Sequence, residues 1–191
     1  MGQYYMPCLL ENDYETNEKP VIGALYSHKF GSGLKLMEHS WVGNNFVKAV
    51  TYMLLGNETN PFVWCGDYAD CINNERNMYD YACQDDFDDK YSEKFIADHP
   101  DLDKEADLKY IINHSKEQYV VIEDENENED DWQIHPLPLL TADGCFRGGG
   151  DYPSDGENAD YVGIWAYDII ECNDNAPEGY EEIFVKFKEN E

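Results

Sequence analysis

Basic residues are scarce in this 191-residue chain, with 13 Lys and Arg against 41 Asp and Glu, and only Arg76 and Arg147 are arginines. The formal charge is −28 and the sequence pI about 4.2. Direct binding to DNA, RNA or an anionic bilayer works by neutralising phosphates with Lys and Arg, so this shortage excludes it. No apolar run approaches the roughly 18 residues of a membrane helix. The opening MGQYYMPCLLENDYE carries neither a basic segment nor an apolar segment of the secretory kind, and Met6 stands where a myristoylation signal on Gly2 wants Ser or Thr. The expectation is a cytoplasmic protein, of a bacterium or a phage-infected cell, with Cys8, Cys65, Cys71, Cys83, Cys145 and Cys172 reduced.

Motifs of common chemistry are also missing. No CxxC pair or HExxH stretch exists, and Cys65, Cys71 and Cys83 are spaced unlike zinc ligands, which makes buried small hydrophobes the simpler reading. GSGLKL at 31–36 lacks the third glycine of a dinucleotide fingerprint, no GK[ST] follows Gly148–Gly150, and there is no GxSxG elbow. Two segments fail as EF-hand loops. From Asp124, Glu129 replaces the glycine and His135 the bidentate Glu, and in 151–162 Pro153 and Val162 stand at ligand positions. No metal or cofactor is implied. The five histidines, His28, His39, His99, His114 and His135, share no common pattern.

What is present is apolar patterning. Hydrophobic residues make up 42% and aromatics 14%, too rich for a disordered acidic tail, so the chain folds. Its length suits one domain, 1–191, with a strongly acidic surface region at about 85–131. The clearest element is a helix over 44–56. Asn44 is placed to cap it, Gly56 to end it, and Phe46, Val47, Val50, Met53 and Leu54 form one apolar stripe. Most other patterned stretches read as strands: QYYMPCLL, VIGALYSHKF, GLKLMEHSW, PFVWC, YVGIWAYDIIEC and YEEIFVKFKE, with LKYIINHSKEQYVVIE as a hairpin. The last two strands named singly read as a second antiparallel pair, and short helices are expected around YSEKFIADH and KEADLKY. The fold class that follows is α+β: a mainly antiparallel sheet with the 44–56 helix packed on it.

The strongest compositional signal is EDENENEDD, in which Glu123, Asp124, Glu125, Glu127, Glu129, Asp130 and Asp131 make seven acids in nine residues. DDFDD adds Asp85, Asp86, Asp88 and Asp89, and Asp98, Asp101, Asp103, Glu105 and Asp107 extend the series. A row of carboxylates presents regularly spaced negative points, as a phosphate backbone does. The plainer reading is a solvated face that keeps the protein soluble. Two loops look site-like in a different sense. In WCGDYAD an apolar strand ends at a glycine followed by Asp67 and Asp70, and in GCFRGGGDY three glycines lie between Arg147 and Asp151. These four residues are the candidate site of a small enzyme, or turns in which Arg147 pairs with a nearby Asp.

In its acid-rich character, carried by DDFDD and EDENENEDD, the chain resembles the phage and mobile-element DNA mimics, anti-CRISPR and anti-restriction proteins among them. The resemblance implies an inhibitor that occupies the cationic nucleic-acid channel of a defence enzyme, such as a Cas effector or restriction enzyme. It transfers no individual residue role. Three function classes therefore stand: a nucleic-acid-mimicking interaction protein, a small enzyme, and an acidic housekeeping protein.

Overall fold

The computed structural model describes residues 3–72, 75–122, 133–144 and 159–185. Two four-stranded sheets, each mostly antiparallel, combine with five helices among these residues, an α+β fold. The first sheet has the order β2-β1-β3-β6, from β1 (Tyr5–Leu10), β2 (Val21–Ala24), β3 (Phe62–Gly66) and β6 (Ala142–Asp143). The second has the order β7-β4-β5-β8, from β4 (Tyr110–Asn113), β5 (Gln118–Val121), β7 (Ile170–Asn173) and β8 (Glu181–Glu182). A single sheet was the expectation, and the second arises because the 110–121 hairpin pairs with Ile170–Asn173 and not with the first strands.

Alternation along β1 and β3 divides the apolar side chains between two faces. Tyr5, Phe62 and Trp64 join one cluster with Phe46, Val50, Leu54, Leu139 and residues of the second sheet, including Ile111, Val120 and Ile170. Met6, Cys8, Leu10, Val63 and Cys65 face the opposite way, onto Met78 and Ala82. The first sheet is thus covered on both sides.

The helix read over 44–56 is α2 (Asn45–Met53), with Leu54 as its C-cap and Gly56 in the left-handed region at φ 74°. Phe46, Val47, Val50 and Leu54 are buried, and Met53 is partly so. Asn44 Oδ1 accepts from the amides of Phe46 (2.8 Å) and Val47 (3.3 Å). Asn44→Ala leaves both amides short of a partner and is expected to cost about 1 kcal/mol in denaturant melts. A neutral result would show that the cap contributes nothing to stability.

Four local expectations differ from the structure. GLKLMEHSW contains the short helix α1 (Leu36–His39), where Glu38 Oε2 accepts from the Lys35 amide at 3.1 Å and folds over Gly33, a position whose added Cβ would come within 2.3 Å of it. VIGALYSHKF is strand only to Ala24 and then turns into a 3-10 helix, Ser27–Phe30. In YVGIWAYDIIEC, Gly163 (φ 71°) and Tyr167 (φ 68°) break the extended run, so only β7 is strand; it pairs with β4, while β8 pairs in parallel with β5. KEADLKY is not helical: Leu102–Lys104 form a 3-10 turn and the chain runs irregularly into β4. YSEKFIADH does lie in a helix, α4 (Phe87–Asp98), longer than its short pattern suggested. It follows α3 (Met78–Cys83) after a break at Asp85 and Asp86, both at φ 56°. The remaining helix is α5 (Pro136–Thr141).

Candidate functional site

The described acidic candidates fall at the break before α4, on α4 and in the chain after it. Asp85 and Asp86 are exposed at the break between the helices, a left-handed conformation that Asp tolerates better than most residues. The Asp85 carbonyl accepts from Lys90 Nζ at 2.6 Å. Asp89 is half-buried and shares Lys29 with Glu93, at 3.4 and 3.0 Å. Asp88 departs from the expected exposed row. It is 8% exposed, lies 4.0 Å from Cys83 Sγ, and burial, with the charge of Asp89 adding to it, holds its carboxyl above the ordinary carboxylate range. The α-helical period explains this, since Asp88, Ser92 and Phe95 follow at four and three residues and share the buried face. Further along, Asp98, Asp101, Asp103, Glu105 and Asp107 are all exposed. Lys104 pairs with Asp101, and Lys48 with Asp107 at 3.3 Å. Asp85, Asp86, Asp98, Asp103 and Glu105 have no ion-pair partner among the described residues. Glu123, Asp124, Glu125, Glu127, Glu129, Asp130 and Asp131 lie outside the described residues.

The first loop segment leaves the first sheet next to its edge strand β6, and of the second only Gly144 is among the described residues. β3 and β6 run parallel, with Trp64 opposite Ala142 and Cys65 opposite Asp143, so Gly66 and Gly144 lie at the same end of the sheet. Carboxyl ends of adjacent parallel strands are where open sheets commonly build ligand sites. Asp67 Oδ1 accepts from the Tyr4 amide at 3.1 Å, and the Asp67 amide donates to the Tyr4 carbonyl at 2.9 Å. Its partner is thus the backbone of Tyr4. Asp70 is exposed, and Arg147 and Asp151 lie outside the described residues.

Residues that sequence reasoning missed complete this edge. Gln3 is 2% exposed and its Oε1 accepts no hydrogen bond from the described residues; a Cβ added at Gly66 or Gly144 would come within 2.4 or 2.3 Å of it. Glycine at both positions is therefore what lets the amide lie there. The Tyr167 hydroxyl donates to Asp143 Oδ2 at 2.6 Å. Burial raises the Asp143 carboxyl and the nearby Asp70 charge adds to that, while the Tyr167 hydrogen bond opposes it. A carboxyl raised in this way and hydrogen-bonded to a tyrosine hydroxyl is a group of the kind that general acid–base chemistry uses. Nothing in the spacing marks Gln3 or Tyr167, because the parallel pairing that gathers them involves a two-residue strand.

The histidines divide by environment. His39 is fully buried: Nδ1–H donates to the Gly33 carbonyl at 2.9 Å and Nε2 accepts from Trp64 Nε1–H at 3.2 Å, with the rings stacked at 5.6 Å. Burial lowers its pKa to about 4, against the opposing effects of Gly33 and Glu38. His135 caps α5 by accepting from the Leu137 amide at 3.1 Å, and burial lowers its pKa to about 3. His114 lies between Glu171 Oε2 (2.9 Å) and the Tyr180 hydroxyl (3.0 Å) on the second sheet. His99 is held on α4, where Nδ1–H donates to the Phe95 carbonyl at 2.9 Å, and His28 is exposed.

The five described cysteines are free; Cys8, Cys65 and Cys172 are buried, and Cys71 and Cys83, contrary to the buried reading of their trio, are exposed. Among the described residues no helix is long and apolar enough to cross a membrane. Compared with known proteins, the chain matches no family model, no curated protein and no solved structure.

Proposed function

We propose that the protein is an acidic interaction protein that binds a basic nucleic-acid-binding protein in place of nucleic acid, a bacterial defence nuclease such as a Cas effector or restriction enzyme being the partner class. The observation that carries this reading is the segment from Asp85 to Asp107, where five exposed carboxylates have no ion-pair partner among the described residues. Like charges crowded on one surface destabilise the isolated fold, and a surface rich in Lys and Arg relieves that repulsion. Asp88 takes no part, because it points inward. Direct contact with nucleic acid is disfavoured by the same charge.

The test is inhibition of DNA cleavage by such a nuclease as salt rises. Exposed charges are screened over about 8–10 Å at ordinary ionic strength, so inhibition is expected to fade with added salt and with excess competitor DNA. Reversing Asp86, Asp98 and Asp103 to Lys is expected to abolish it, whereas reversing Glu18, Glu58 and Glu178, an identical change in net charge, leaves it largely intact. Equal loss in both triple variants would reduce the effect to non-specific attraction.

The strand-end geometry favours a second reading, a small enzyme acting at the end of the first sheet that carries Asp67, Asp70 and Asp143. Its support is the β3–β6 pairing together with the raised Asp143 carboxyl. If Asp67→Ala and Asp143→Asn destroy the protein's biological effect while both charge-reversal triples retain it, this second reading replaces the first.

A further inference from the structure

The acidic face is interrupted by an apolar groove of about 310 Å3, at the lower end of the roughly 300–1,000 Å3 range of small-ligand pockets. Phe30, Ile96, Pro100 and Leu102 supply its apolar lining, and Ile96 is 39% exposed although it lies on α4 one residue after the buried Phe95. Lys29 and Lys48 also line it. Neither is available to an anion. Lys29 is held by Asp89 and Glu93, and Lys48 by Asp107 and the Glu105 carbonyl. The first free amides of α2 nearby are taken by Asn44. Asp103 lines the groove without an ion-pair partner among the described residues, and together with Asp89, Glu93 and Asp107 it sets four carboxylates against the two lysines.

We infer that this groove receives an apolar side chain carried on a cationic segment of the partner protein, with Arg or Lys on either side of the apolar residue meeting Asp103 and the carboxylates around Lys29 and Lys48. The argument is one of charge complementarity: a bare apolar cavity would accept any hydrophobic anchor, and the carboxylates around this one select an anchor flanked by positive charge. It rests on the acidic docking face proposed above and adds the element that charge alone lacks. Electrostatic rows steer encounter, while desolvated anchors seated in pockets supply most of the affinity of an interface.

Two fluorescently labelled peptides test this, one with leucine flanked on both sides by arginine and lysine, the other with glycine in place of that leucine and the same charge. Anisotropy titrations at low salt are expected to show the leucine peptide binding about tenfold tighter or more, as burial of one such side chain implies. Ile96→Ser and Leu102→Ser, checked for unchanged thermal melting, are expected to bring the leucine peptide down to the level of the glycine peptide and to leave the latter unaffected. Equal binding of the two peptides, indifferent to Ile96→Ser, overturns the groove while sparing the acidic face. Failure of both peptides to bind overturns both. Concentration-dependent self-association that Ile96→Ser abolishes would assign the groove to a second copy of the chain and overturn the cationic occupant.

Discussion

Replacing Phe46 with alanine is expected to lower stability by about 3–5 kcal/mol, read as a shift of the denaturant midpoint at unchanged slope. The side chain is fully buried and stands at the centre of an aromatic group, tilted against Phe30 at 5.6 Å and edge-on to His39 at 5.1 Å and Trp64 at 5.7 Å. Those neighbours come from the 27–30 turn, α1 and β3, so they cannot all relax into the space left behind. The loss therefore includes the cavity as well as the transfer of the ring. A loss below about 1 kcal/mol, the ordinary size of a point substitution, would mean that the site collapses freely and that α2 is not an anchor.

The second large effect is on acid stability. His39 and His135 have folded pKa values near 4 and 3 against about 6.5 in the unfolded chain, so the unfolded state binds protons first as pH falls. Stability contributed by each neutral imidazole is complete above pH 6.5 and is lost below it; by pH 4.5 the loss reaches about 2–3 kcal/mol for each histidine. Asp88 and Asp143 act in the opposite sense. Their raised carboxyls take up protons in the fold first, which favours the folded state at low pH. His135→Asn isolates one imidazole, since Asn keeps a side-chain oxygen able to cap α5 and does not titrate. Between pH 7 and 4.5 the variant is expected to lose about 2–3 kcal/mol less than the parent, whatever its stability at neutral pH. Parallel pH profiles for the two proteins would show that His135 is not buried in its neutral form.

Much of the fold was legible in the sequence where the local signal and the tertiary outcome agree. The α2 stripe, its Asn44 cap and the left-handed Gly56 are short-range features, and the 110–121 hairpin needs only its own two strands. The failures have a common cause. GLKLMEHSW alternates like a strand, yet Glu38 folds back over Gly33 and His39 is drawn in by Trp64, a partner 25 residues away. The β3–β6 and β5–β8 pairings are parallel, two residues long and joined through distant chain, so no periodicity announces them. The candidate sites were legible in part. DDFDD named the acidic face but period-2 or purely compositional reading could not see Asp88 turn inward, which is a consequence of helical geometry. The loop at 64–70 was recognised by itself, and the nearness of its start to Asp143 and Gly144, with Gln3 and Tyr167 beside them, emerges only from the strand order.

The strand order also gives the first strand a disproportionate role. β1 pairs with β2 on one edge and β3 on the other, and its two faces belong to different cores. Its amides therefore have no shallow path to solvent, and their exchange with deuterium should proceed only when the whole molecule opens, which makes Tyr5–Leu10 a reporter of global unfolding. During synthesis the two edges of this strand are not served together: β2 follows β1 closely, whereas the other edge has no neighbour until Phe62–Gly66 follows, more than fifty residues later. One edge of six residues rich in apolar side chains must wait through that interval open, the window in which a strand of this kind is most exposed to wrong pairing with another chain.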